Sequence, residues 1–209
     1  MKKLKNFFGV AILATVTFTA CKTPEPSSNN NNNVPESVVI NGIKWATRNV
    51  DEVGIFAAKP ESAGKFYQWN RKIAWAATGD EIGWNATDAE GTTWDIENDP
   101  SPKGYRVPTL EEFETLLDTE KVRSEIITQN SVKGALFKDV ATGNTLFLPA
   151  AGYRNGNNAE YVGNRGVYWS SSIGSNYGEA YDLYFISNVS KFSNQRRYGF
   201  LFALWQSKI

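Results

Sequence analysis

Carboxylates crowd the stretch from 80 to 99: Asp80, Glu81, Asp88, Glu90, Asp95, Glu97 and Asp99. Oxygen ligands of this type suit calcium, and two carboxyls across a cleft suit glycoside hydrolysis. The spacing fits neither chemistry. Asp95-Ile-Glu-Asn-Asp lacks the glycine an EF-hand requires at its sixth position, and a loop this acidic offers carboxylate pairs of no particular geometry. The stretch reads as a solvated acidic loop holding no metal. Trp75, Trp84 and Trp94 lie in the same region, interleaved with Asn85 and Asp95. Flat rings beside amide and carboxylate groups are what a sugar-binding face needs, for stacking on C–H groups and bonding to hydroxyls. A second cluster follows at Tyr153, Arg154, Asn157, Asn158, Tyr161 and Arg165. Both loops are expected to carry ligand-binding residues.

Catalytic constellations do not emerge from the rest of the chain. There is no histidine, which removes the usual general base and the commonest metal ligand. The single cysteine is Cys21, ahead of any folded segment, so thiol chemistry, disulfides and Cys/His zinc sites are excluded from the folded part. Ser170, Ser171 and Ser172 stand in a row. Without a histidine or a Gly-x-Ser-x-Gly elbow they read as strand-end hydrogen bonders. Lys+Arg and Asp+Glu both total 22, so no net field recruits nucleic acid. The expectation is a non-enzymatic protein without a cofactor.

The segments that must position these residues begin after an address label. Met1-Lys-Lys-Leu-Lys is a basic start, and Phe7 to Ala20 is an apolar run shorter than a membrane span. Residues 1–20 therefore read as a signal peptide. Small residues before the lone Cys21 resemble a bacterial lipobox, in which the thiol is lipidated. Residues 21–36, rich in Asn, Ser and Pro, cannot bury enough apolar surface to order themselves and read as a tether. Residues 37–209 are long enough for one domain with a sizeable core.

Within that domain, Asn41-Gly42 between Val38-Val39-Ile40 and Ile43-Lys44-Trp45 signals a type I′ hairpin. Gly64 to Trp69 reads as a strand, whereas Ala76 to Lys103 shows little periodicity and many turn formers. Tyr105-Arg106-Val107 is a short strand stopped by Pro108. Thr109 and Glu112 form a capping box, and Leu110, Phe113, Leu116 and Leu117 share one face of the helix that follows. The stretch up to Asn130 reads as polar. A further hairpin turns at Thr142-Gly-Asn, and strands are expected at Val167–Ser171 and Ala180–Ile186. Tyr198 to Trp205, apolar on both faces, reads as a central strand. Trp45, Trp169, Tyr181, Phe185, Phe200 and Phe202 are assigned to core. Short antiparallel strands, one or two helices and long irregular loops define an α+β class.

Several blocks taken together resemble a known family. They are Asn41-Gly-Ile-Lys-Trp-Ala-Thr-Arg-Asn-Val50, Gly104-Tyr-Arg-Val-Pro-Thr-Leu-Glu-Glu-Phe113, Leu146-Phe-Leu-Pro-Ala-Ala-Gly-Tyr-Arg154, Tyr168-Trp-Ser-Ser-Ser172, Ala180-Tyr-Asp-Leu-Tyr-Phe185 and Arg197-Tyr-Gly-Phe200. In this order they resemble the Fibrobacter succinogenes major paralogous domain of Bacteroidetes lipoproteins and adhesin-like proteins. The resemblance covers about residues 38–205. It departs at the end, where Gly199-Phe-Leu-Phe-Ala-Leu-Trp205 replaces the usual Gly-Phe-Ser-Val-Arg-Pro. The resemblance implies a C-type-lectin-like fold, distantly related to formylglycine-generating enzymes. Those enzymes use cysteines inside the folded domain, and this domain has none. The Glu-Pro-Asn, Gln-Pro-Asp and Trp-Asn-Asp triplets of calcium-dependent lectins are also missing, so a lectin-type calcium site is not implied.

The resulting expectation is an extracytoplasmic binding or adhesion module, lipid-anchored to the outer membrane through Cys21. Its partner would be a glycan or a surface protein. One alternative is a structural accessory subunit of a surface or pilus-like assembly. The other is a carboxylate-based hydrolase or degenerate modifying enzyme.

Overall fold

The structure, a computed structural model, describes residues 36–206. The signal peptide, Cys21 and nearly all of the tether expected from the sequence lie outside the described residues. Strands β1 (Ser37–Ile40) and β2 (Ile43–Ala46) form the first hairpin, turning at Asn41 and Gly42 with φ of 47° and 78°. Both values are positive, as a type I′ turn requires. β3 (Lys65–Gln68) and β4 (Trp75–Ala76) follow, and β5 (Tyr105–Arg106) comes after an irregular excursion broken by one 3-10 turn, Ile96–Asn98. One α-helix, α1 (Leu110–Leu117), occurs among the described residues.

The helix corner is built as its sequence dictates. The Thr109 hydroxyl accepts from the Glu112 backbone N–H at 3.3 Å, and the Glu112 carboxylate accepts from the Thr109 N–H at 2.8 Å. Glu112 is also gripped by the Arg106 fork, at 3.0 and 2.5 Å. Two of the three serines dock this corner. Ser171 donates from its backbone N–H to Pro108 O, and the Ser172 hydroxyl accepts from the Leu110 N–H. Thr109→Ala is expected to lower the free energy of unfolding by about 1 kcal/mol, read as a shift in denaturant midpoint at constant slope.

The remaining strands are β6 (Val122–Gln129), β7 (Val132–Asp139), β8 (Thr145–Pro149), β9 (Tyr153–Asn155), β10 (Asn158–Glu160), β11 (Gly166–Ile173), β12 (Glu179–Phe185), β13 (Val189–Gln195), β14 (Gly199–Phe200) and β15 (Trp205–Gln206). They form antiparallel sheets ordered β1-β2-β15-β5, β10-β9-β14-β3-β4, β11-β12-β13 and β6-β7-β8. This is a small α+β domain.

Three differences from the sequence expectation have physical causes. The polar stretch before Asn130 is the full strand β6, paired over its whole length to β7. Residues Arg123 to Glu125 are exposed, so the apolar alternation that would announce a strand is absent. The segment from Tyr198 to Trp205 is not one strand. Gly199 and Phe200 pair with β3 and β9, Leu201 bridges Tyr168, and Trp205 pairs with β2 and β5. Its apolar residues face both ways because it divides two cores. Phe200, Phe202 and Leu204 enter one cluster, with Tyr67, Trp69 and Trp169, while Leu201 and Ala203 enter the other, with Phe66, Phe113 and Leu183. Tyr181, assigned to core, is instead half-buried at a sheet end, its hydroxyl 2.8 Å from that of Ser175. Trp45, Trp169, Phe185, Phe200 and Phe202 are buried.

Candidate ligand-binding site

The excursion from 77 to 104 is held by side chains that reach its backbone carbonyls. Arg154 is fully buried and donates to Ala76 O twice (3.0 and 2.7 Å), to Gly79 O (2.8 Å) and to Asn157 O (2.6 Å). Arg196 lies over the Trp69 ring at 4.4 Å and donates to Ala89 O and Gly91 O. Arg71 reaches Thr87 O at 2.9 Å, and Arg197 pairs with Asp88 at 2.9 Å. An irregular segment has no ladder to satisfy its carbonyls, and guanidinium forks supply the missing donors.

The aromatic face expected on this excursion is turned inward. Trp75 is only 6% exposed and belongs to a core cluster, with Trp84 packed on it at 5.0 Å between ring centres. Trp84 also lies over Gly199, where a Cβ would come within 2.9 Å of its ring. Trp94 stands edge-on to Trp69 (5.4 Å) and Phe202 (5.6 Å). The polar residues between them brace the loop. The Asn85 side-chain oxygen accepts from Thr87 N–H and hydroxyl, an Asx turn, and Asp95 is locked to Asn70 by two hydrogen bonds. Two of the acidic residues are likewise spent locally. Asp99 accepts from Ser101 and Val107 N–H, and Glu81 accepts from Ala76 N–H. No three carboxylates gather into a metal-binding group among the described residues.

The second cluster divides. Arg154, expected to meet a ligand, presents no surface at all, and its pKa is drawn down by burial. Asn157 and Asn158 are exposed near the tip of the β9–β10 hairpin, where Gly156 has φ of 63° and opens a two-residue turn. Tyr161, half exposed, stacks on Tyr153 at 5.8 Å and 19°. The chain there folds back so closely that a Cβ on Gly152 would lie 2.1 Å from Glu160 O. Arg165 follows, its guanidinium 3.9 Å from the centre of the Tyr161 ring.

Arg165 and Tyr153 open onto a pocket of about 390 Å³. Its remaining lining comes from Val167, Tyr184, Ser190, Phe192, Asn194, Tyr198 and Phe200. Phe200 and Val167 are buried and form its base, and Phe200 in turn rests on Trp169 at 4.0 Å. Tyr153 and Tyr198 flank that base at 5.9 and 6.2 Å from the Phe200 ring. Tyr184 and Phe192 stand 6.1 Å apart on the sheet side, Phe192 being 59% exposed at the rim. The register explains this arrangement. Tyr184 pairs with Val167 and Ser190, and Asn194 and Phe192 pair with Ala180 and Asp182, which puts the lining of β11–β13 on one sheet face.

The pocket is chemically defined by rings and by directional donors. The Tyr153 hydroxyl donates to Glu160 at 2.8 Å, and burial together with that carboxylate pushes its pKa up to about 12, so the phenol stays neutral. On the same sheet face sits Asp182, fully buried, held to the Asn194 amide at 2.9 Å by one oxygen while the other has no partner among the described residues. Burial raises its pKa to about 7. Sequence reasoning reached Arg165 and Tyr153 but missed Ser190, Phe192 and Asn194, because β13 itself was not recognised. Compared with family models, curated proteins and solved structures, the chain matches none.

Proposed function

We propose that this chain is a non-catalytic, extracytoplasmic carbohydrate-binding module, tethered to the outer membrane by lipid on Cys21. Its domain is read as a C-type-lectin-like member of the Fibrobacter succinogenes major paralogous domain family. The observation that carries the binding reading is the aromatic pocket bounded by Tyr153, Arg165, Tyr184, Phe192 and Tyr198 over Phe200. Its volume of about 390 Å³ lies within the range of small-ligand sites, roughly 300–1,000 Å³. Aromatic faces stack on sugar C–H groups, while Ser190, Asn194 and the tyrosine hydroxyls offer the directional bonds that a polyol requires. No carboxylate lines it.

The full chain is tested against a glycan panel. Phe192→Ala and Tyr198→Ala are expected to weaken the retained glycans by roughly tenfold, about 1.4 kcal/mol, with the fold intact. Trp84→Ala, away from the pocket, is the contrast, and loss of binding only in that variant overturns the assignment. For the anchor, mass spectrometry of membrane-derived protein is expected to show diacylglycerol and an acyl chain on Cys21. A Cys21→Ser variant whose mass differs from wild type by the substitution and signal cleavage alone sinks the lipoprotein reading.

A further inference from the structure

Arg165 differs from every other arginine among the described residues. Arg48, Arg71, Arg106, Arg123, Arg154, Arg196 and Arg197 each give the guanidinium at least one oxygen partner. Arg165 gives its guanidinium none, and its Nε, like that of Arg48, is buried without an acceptor. What holds it is aromatic. The guanidinium carbon lies 3.9 Å from the Tyr161 ring centre, 5.3 Å from Tyr184 and 5.5 Å from Tyr153. Its backbone is fixed as well, with the N–H donating to Tyr161 O and the carbonyl accepting from Gly152 N–H at 2.6 Å.

Rings can hold a guanidinium by its faces, but they do not satisfy its N–H edge. That edge is planar, permanently charged and shaped for two parallel bonds to a carboxylate. Glu160, five residues earlier, is taken by the Tyr153 hydroxyl and the Asn155 amide and makes no ion pair with Arg165. An unneutralised fork in the wall of an aromatic pocket asks for an anion that arrives with a ring attached.

We propose that the pocket selects acidic sugars, with the Arg165 fork receiving the carboxylate of a uronic or sialic-type residue while the tyrosine and phenylalanine rings take its C–H face. This rests on the carbohydrate-binding reading and narrows it. A point charge would attract anions without orienting them. The stacked guanidinium fixes both the carboxylate plane and the ring that bears it.

The test uses the full chain and three probes: oligosaccharides ending in glucuronic, galacturonic or sialic acid, the same oligosaccharides with the carboxyl reduced to an alcohol, and free acetate as competitor. Wild type is expected to bind the acidic forms at least about tenfold tighter than the reduced forms, with affinity falling as salt rises. Arg165→Met is expected to erase that difference. Arg165→Lys, which keeps the charge and tests the fork should the Met variant fold poorly, is expected to retain only part of it at an unchanged melting temperature. Equal binding of acidic and reduced forms by wild type, or a preference that survives in both variants, overturns the acidic-sugar assignment and leaves carbohydrate binding standing. Acetate competing as well as glucuronate also overturns it, as the mark of a generic anion site. No binding of any oligosaccharide sinks this inference and the function it rests on together.

Discussion

Arg154→Met is expected to cost the domain on the order of 4 kcal/mol, far more than its place in a three-residue strand would suggest. The arginine has no exposed surface and supplies four hydrogen bonds to the carbonyls of Ala76, Gly79 and Asn157. Removing the guanidinium takes the donor from Ala76 O and Gly79 O, whereas Asn157 O keeps the Glu81 N–H. Each acceptor left unsatisfied costs roughly 1–3 kcal/mol, and the emptied buried site adds to the loss. Lysine is a poor replacement, because one ammonium cannot span two sides of a loop as a planar fork does. Denaturant titration of wild type, Arg154→Met and Arg154→Lys measures the loss. Limited proteolysis adds the location, with new cleavage expected between 76 and 82. A loss below about 1 kcal/mol for both variants would show that the excursion is held elsewhere.

Stability is expected to fall as pH rises from about 4 to about 7, because of Asp182. In the unfolded chain this carboxyl ionises near its ordinary value of 3.8, whereas burial holds the folded pKa up at about 7. Between those values the folded protein keeps a proton that the unfolded chain has released, so rising pH favours unfolding. At about 1.4 kcal/mol per pH unit, the whole window is worth at most on the order of 4 kcal/mol. The penalty is absent below the unfolded value and complete above the folded one. Asp139 works in the opposite sense. Backbone N–H groups of Asn41 and Thr142 lead the forces holding its pKa down, so its contribution is present above the unfolded value and lost in acid. Maximum stability is therefore expected at mildly acidic pH. Melting temperatures recorded from pH 4 to pH 8 should decline for wild type and stay nearly level for Asp182→Asn, whatever the absolute offset between the two. Parallel profiles would show that Asp182 is ionised in the folded state throughout.

The parts of the fold that were legible in the sequence are those specified locally. The Thr109–Glu112 capping box, the Asn41-Gly42 turn and the Thr142-Gly143-Asn144 turn each contain their own geometric instruction. Strands β6 and β13 carry no such signal. Their exposed residues, Arg123 to Glu125 and Lys191 with Phe192, are tolerated because the pairing with β7 and β12 supplies the stability. Losing β13 hid three of the nine residues that line the pocket. The tryptophans illustrate a second limit. In an irregular stretch no period tells which way a ring faces, and Trp75, Trp84 and Trp94 face the cores. Arg154 and Arg165 show the same limit at its sharpest, since they are the same residue type only eleven positions apart. One meets the carbonyls of residues 76 and 79, the other meets three tyrosines, and only tertiary contact separates a structural clamp from a ligand-facing fork.

Amide chemical-shift mapping during titration with an oligosaccharide retained on the panel tests the binding account most directly. Progressive shifts are predicted at Tyr153, Arg165, Tyr184, Ser190 to Asn194 and Tyr198, with the 77–104 excursion unmoved. Shifts confined to that excursion around Trp84 and Trp94, or no saturable shifts at any concentration, would contradict it.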